Sequence, residues 1–365
     1  SAANGAVALT GGAVDGAQDL TITAGSGAVS LGAIGAGTAI GALDIDATGT
    51  TTVNGNIVAG SIALDGATDV DLATGAITLN TSAANGAVAL TGGAVDGAQN
   101  LTITAGSGAV SLGAIGAGAA IGTLDIDTTG TTTVNGNIVA GSIALDGATD
   151  VDLATGAITL NTSAANGAVA LTGGAVDGAQ NLTITAGSGA VSLGAIGAGA
   201  AIGTLDIDTT GTTTVNGNIV AGSIALDGAT DVDLATGAIT LNTSAANGAV
   251  ALTGGAVDGA QNLTITAGSG AVSFDGVGQN TAIGALDVDT TGALTFNDAL
   301  AAGSIALDGA ANVDLATGAV TLDTSAANGV VTFATAGAID GGQNLTITAG
   351  SGAVNLSAIG AGTAI

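Results

Sequence analysis

Apolar and polar residues alternate in short runs along the whole chain, and the runs recur in a recognisable order. One set reads Leu20-Thr-Ile22, Leu43-Asp-Ile45, Ile62-Ala-Leu64 and Ile77-Thr-Leu79. A second reads Val29-Ser-Leu31, Thr51-Thr-Val53, Val70-Asp-Leu72 and Val88-Ala-Leu90. A period of two marks a half-buried β-strand, because successive side chains of an extended backbone point to opposite faces. Glycine-rich stretches separate the runs and supply tight turns. A third, shorter apolar stretch recurs around Ile34, Ile57 and Val95.

The runs belong to a tandem repeat. SAANGAVALTGGAVDGAQ begins at Ser1 and restarts, nearly unchanged, at Ser82, Ser163, Ser244 and Ser325, a period of 81 residues without insertion. Residues 82–162 and 163–243 are identical. The first copy differs from them only at Asp19, Thr38, Ala42 and Ala47, whereas the fourth is the most diverged. The organisation is therefore one continuous array: 1–81, 82–162, 163–243, 244–324 and a partial copy, 325–365. Each copy divides again at residues 19–41, 42–60, 61–75 and 76–99, four segments averaging about 20 residues.

Two or three short strands per segment of this length predict an all-β fold, a right-handed parallel β-helix with about 20 residues per coil and four coils per repeat. In that scheme Leu20, Leu43, Ile62 and Ile77 stack into one internal ladder, and a repeat advances roughly 19 Å at a strand spacing of about 4.8 Å. Phe274, Phe296 and Phe333 stand where earlier copies have Leu31, Val53 and Leu90, all inward positions. Their register supports the assignment of inside and outside.

Composition narrows the chemistry. The 365 residues contain no Lys, Arg, His, Cys, Pro, Met, Trp or Tyr, and the net charge of −28 comes from Asp alone. No imidazole or thiolate is present to ligate zinc, copper or haem, and Ser or Thr has no basic partner to activate it. A chain without cations cannot neutralise phosphates, which argues against nucleic acid and against an anionic membrane surface. Hydrophobic residues make up 47% and mean hydropathy is +0.66, so folding rather than disorder is expected. No apolar run approaches the length of a membrane span, so no membrane insertion is expected. Ser1 opens in mid-pattern, and we expect the segment to belong to a longer protein.

NLTITAGSGAVSLGAIGAG and SIALDGATDVDLATGAITLNTS resemble the tandem repeats of giant bacterial surface proteins of the filamentous haemagglutinin type. The resemblance implies a right-handed parallel β-helix, export across the outer membrane to the bacterial cell surface or beyond, and a role as adhesin shaft or extracellular filament.

Candidate sites are few. Asp46 and Asp65 fall on consecutive predicted coils with Asp44, Asp69 and Asp71 nearby, and the pair recurs as Asp127/Asp146, Asp208/Asp227 and Asp289/Asp308. Two carboxylates about 5 Å apart repel by roughly 3 kcal/mol at an effective dielectric near 20. Bound Ca²⁺ reverses that term with hard oxygen ligands, and these eight residues are the calcium candidates. The competing reading is a solvated acidic face that keeps the array soluble. Paired carboxylates also suit glycoside cleavage, but the cationic and aromatic groups that would hold a sugar in such an enzyme are missing, so no catalytic residue and no enzyme is expected. Thr rows are interrupted by Asp44, Ala63, Asp46 and Asp65, which argues against an ice-binding array. The expected function is a structural shaft or fibre of a secreted, cell-surface repeat protein; the alternative is a multivalent module whose acidic face takes calcium or a surface or glycan ligand. Self-association, end to end or lateral, is expected in either case.

Overall fold

The computed structural model describes residues 4–333 and 337–365, so the opening Ser1 of the first repeat lies outside the described residues. The chain divides into two units, Ser1–Gln180 with Thr185–Gly187, and Asn181–Ile184 with Ser188–Ile365. Strands are the only regular elements among the described residues. Each unit is a parallel β-helix, as the alternating pattern predicts, with turns about 22 residues apart.

Three buried columns run through the first unit. One passes from Leu20 to Leu43, Ile62, Val88, Val110, Thr132, Val151 and Val176. A second links Val7, Val29, Thr51, Val70, Val95, Ile115, Ile138 and Leu160. The third contains Ile77, Leu101, Leu124, Ile143 and Val169. Each step in a column is one turn, so the solenoid has three faces.

The expected stacking of Ile77 on Ile62 does not occur. Ile62 lies beside Val88, and Ile77 beside Leu101. The 15-residue segment 61–75 is too short to close a three-faced turn. The strand Ile57–Ala63 instead bends at a corner and serves two faces. Its first part pairs with Leu79 and Asn80, and its last part with Val88 and Ala89. Turn boundaries therefore run across the segment boundaries.

A repeat accordingly does not contain a whole number of turns. Between residues 82 and 162 the columns take up Val88, Val95, Leu101, Val110, Ile115, Leu124, Thr132, Ile138, Ile143, Val151 and Leu160, eleven positions at three per turn. One copy thus spans three and two thirds turns rather than the expected four, and equivalent residues move to the next face from copy to copy. Val7, Val88 and Val169 hold the same place in three successive copies and lie in three different columns. The second unit repeats this behaviour. Leu205 shares a column with Ile224 and Val250, while its counterpart Leu286 lies between Leu263 and Ile305.

The inward positions are as the alternation predicts. Ile45, Val53, Ile62, Leu79 and Leu90 are all buried, each contributing roughly 1.5–3 kcal/mol by removal from water. Phe274 and Phe296 are fully buried on adjacent turns, stacked with ring centroids 5.9 Å apart, and Phe333 is buried as well. Among the buried threonines, one position of the repeat is left without a hydrogen bond. Thr51, Thr132 and Thr213 are fully buried with Oγ1 unbonded, and the fourth copy has Leu294 at that place.

Corners are held by small residues and side-chain caps. A Cβ at Gly86 would sit 1.6 Å from the carbonyl oxygen of Gly60 on the preceding turn, so only glycine lets the two backbones approach. In the adjoining turn, Asn85 adopts φ 55°, a left-handed conformation that Asn tolerates better than most residues. Its Oδ1 accepts from the Ser107 N–H at 2.8 Å on the following turn. Thr81 Oγ1 donates to the Gly86 carbonyl at 2.6 Å, closing the loop.

Candidate functional site

The acidic pairs sit on the outer surface, placed there by the same alternation that buries Leu and Ile. Asp208 lies directly beside Asp227, and Asp289 beside Asp308, on adjacent parallel strands. In the first two copies the strands Ile57–Ala63 and Ile138–Ala144 end two residues before Asp65 and Asp146. There Asp46 and Asp127 are paired on their other side with Thr23 and Thr104. Seven of the eight carboxylates are exposed; Asp308 is half-buried, with Oδ1 enclosed and unbonded. Asp206, Asp208, Asp227 and Gly228 border an open depression of about 410 Å³.

Electrostatics shows the strain of this arrangement. Burial, then the charges of Asp227 and Asp208, raise the pKa of Asp206 above the ordinary carboxylate value. Asp125 is raised in the same way by burial, Asp146 and Asp127, and Asp287 by burial, Asp308 and Asp289. Among the described residues, no group of three or more acidic side chains is arranged to hold a metal ion.

Asp69 and Asp71, expected near Asp44, are on a different face. Asp71 lies between Thr52 and Asp96, and Asp69 between Thr50 and Ala94. They belong to a second acidic set that the sequence reading did not single out. Asp96, Asp258 and Asp340 are buried where a strand meets a corner. Asp96 Oδ1 accepts the N–H groups of Gly118 and Ala119 at 2.8 and 2.9 Å, and Asp340 Oδ1 those of Gly362 and Thr363 at 2.8 and 3.0 Å. Each carboxylate thus clips the corner of the next turn, a structural duty. The half-buried neighbours feel it. Asp231 is pushed up to about 6 by burial, by a hydrogen bond to and the charge of Asp258, and by Asp233. Asp69 and Asp150 are raised too, burial again being the largest cause. The only available signal in the sequence was an isolated Asp before Gly in the corner text AVDG or AIDG.

The fourth copy carries a further feature. A polar groove of about 600 Å³ opens where three successive corners meet, at residues 254–256, 275–280 and 297–298. Its polar side chains include Asp275, Gln279, Asn280, Asn297 and Asp298. Four of these five stand where the third copy has Gly194, Ala198, Gly199 and Gly217.

Fold and surface together define a parallel β-solenoid repeat protein with acidic faces. Compared with protein-family models, curated proteins and solved structures, the chain matches none.

Proposed function

We propose that the chain is a structural shaft or fibre-forming segment of a secreted, cell-surface repeat protein, an adhesin stalk or extracellular filament of a bacterium. The observation that supports this reading is the continuity of the buried columns within each unit, built from near-identical copies. Within a unit each turn offers the next a parallel ladder and an apolar floor, so stability grows additively with length and length can be adjusted by copying. The reading assigns the array no catalytic step. With no Lys or Arg, the chain offers nothing to trypsin-like proteases, which suits exposure outside a cell.

Arrays with different copy numbers test the proposal. Each added copy should add about 18 Å of solenoid, from three and two thirds turns at about 4.8 Å each. On a cell surface, an unrelated rigid rod of equal length should then substitute for the array. The reading fails if attachment survives shortening but is lost on that substitution.

A second reading is favoured by one observation, the in-register carboxylates of Asp208 with Asp227 and Asp289 with Asp308. In it the acidic faces take a divalent cation such as calcium, or a surface ligand, at many equivalent points. Calorimetric titration of the native array with Ca²⁺, set beside an array with all eight Asp changed to Asn, separates the two readings. Saturable heat only in the native array supports the second.

A further inference from the structure

We infer that the groove of the fourth copy is a binding site for a neutral polyhydroxylated ligand, a short uncharged oligosaccharide. The inference is independent of the shaft proposal. It starts from where the fourth copy departs from the text of the third. At one corner Gly194 and Ala195 become Asp275 and Gly276, and Ala198 and Gly199 become Gln279 and Asn280. At the corner one turn further on, Gly217 becomes Asp298. Larger polar side chains thus replace Gly or Ala at sites that converge in space, around one groove of about 600 Å³. That volume lies within the range of about 300–1,000 Å³ usual for small-ligand sites.

The polar groups are held in place. Asp275 Oδ2 accepts the Gly254 N–H at 2.7 Å, and its Oδ1 accepts Asn297 Nδ2 at 2.9 Å. Asn280 donates from both its backbone and its side chain to Asp258, at 2.9 and 3.0 Å. Asp258 is itself only 2% exposed, so the amide is anchored to the interior. Gly276 provides the floor. A Cβ there would come within 2.2 Å of Gln279 Nε2, so the change from Ala to Gly leaves room for the amide that the same copy introduces. Beneath, Phe274 and Phe296 fill the core under this corner and are fully buried. Such a second layer keeps a site preorganised.

The chemistry of the lining selects the ligand. Carboxylate and amide oxygens accept and amide N–H groups donate, so the groove would hold paired sugar hydroxyls by hydrogen bonds alone, without the aromatic or cationic groups that a glycan-cleaving site would add. Two carboxylates with no cation anywhere in the chain exclude anionic glycans, phosphates and sulfates. Both oxygens of Asp275 accept one N–H donor each, which fixes the carboxylate in place and leaves a further lone pair on each oxygen for a ligand hydroxyl.

The test uses the whole chain on an array of uncharged glucose-, galactose- and mannose-based oligosaccharides, with and without EDTA. The comparison variant restores the third-copy text: Asp275→Gly, Gly276→Ala, Gln279→Ala, Asn280→Gly and Asp298→Gly. The same fold already accommodates that text in other copies, and circular dichroism checks that the variant folds. Gln279→Ala alone, at an exposed position, removes one of the groove's amides and should weaken binding less than the full restoration. We expect binding of at least one neutral oligosaccharide, unchanged by EDTA, and weakened at least about tenfold in the restored chain, the loss of one or two good hydrogen bonds. Failure to bind any uncharged sugar, equal binding by the restored chain, or binding abolished by EDTA would each overturn the assignment.

Discussion

Replacing Thr132 by Val is a sharp probe of the interior. Thr132 is fully buried between Val110 and Val151, and its hydroxyl has no hydrogen-bond partner. A desolvated, unpaired hydroxyl costs roughly 1–3 kcal/mol. Valine keeps the branched shape and the strand preference while exchanging the hydroxyl for a methyl group. Thr132→Val is therefore expected to stabilise the chain by roughly 1–3 kcal/mol. Thr51 and Thr213 have the same environment, between Val29 and Val70 and between Val191 and Val232. Since the three share no partner, the gains should add. Thr132→Ser, which keeps the hydroxyl and removes the methyl, should move the other way. Leu294 at the corresponding place of the fourth copy, itself fully buried, shows that the position accepts an apolar side chain. Denaturant midpoints combined with hydrogen exchange at the flanking strands would measure the change locally, because long arrays can unfold in parts. A Val variant no more stable than the parent would mean that the hydroxyl is satisfied and the reasoning is wrong.

Two further outcomes follow from the geometry. Gly86→Ala should destabilise by on the order of 3 kcal/mol or more, since its Cβ would meet backbone and not a side chain that can swing aside; a thermal midpoint within a degree or two of the parent would refute the contact. Lowering the pH from 7 towards 4 should raise the melting temperature. Asp231, at about 6, and the raised Asp69, Asp125, Asp150, Asp206 and Asp287 bind protons more tightly folded than unfolded. Stability linked to them is therefore present below the ordinary carboxylate range and lost as pH rises through their folded values. Asp323, lowered by its hydrogen bonds from Ser325, works the other way, but its contribution is lost only as pH falls through and below the ordinary carboxylate value. A melting temperature that falls steadily from pH 7 to pH 5 at fixed ionic strength would contradict the prediction.

Much of the fold was legible because alternation is a local signal. Ile45, Val53 and Leu90 could be placed inside from their neighbours alone, and the Phe register confirmed them. The closure of a turn is not local. Whether Ile62 stacks on Ile77 or Val88 depends on how many residues three faces and their corners consume, and similar text at Ile62 and Ile77 disguises their different places in the turn. The site divides along the same line. Asp208 and Asp227 could be matched because their strands carry aligned motifs. Asp96 could not, because its duty is to a loop some 22 residues further on. The groove needs three corners from three turns, and only the divergence of the fourth copy hinted at it.

The fractional turn count has a consequence for how such arrays change. Gain or loss of one 81-residue copy inside a unit leaves every junction between copies with its usual sequence, so the fold itself offers no resistance to it. What changes is bearing: everything that follows within that unit swings round by a third of a turn. Three copies gained or lost restore the original heading. Length and direction are therefore geared together, and a lineage that varies its copy number also redirects whatever its surface carries, in three discrete settings.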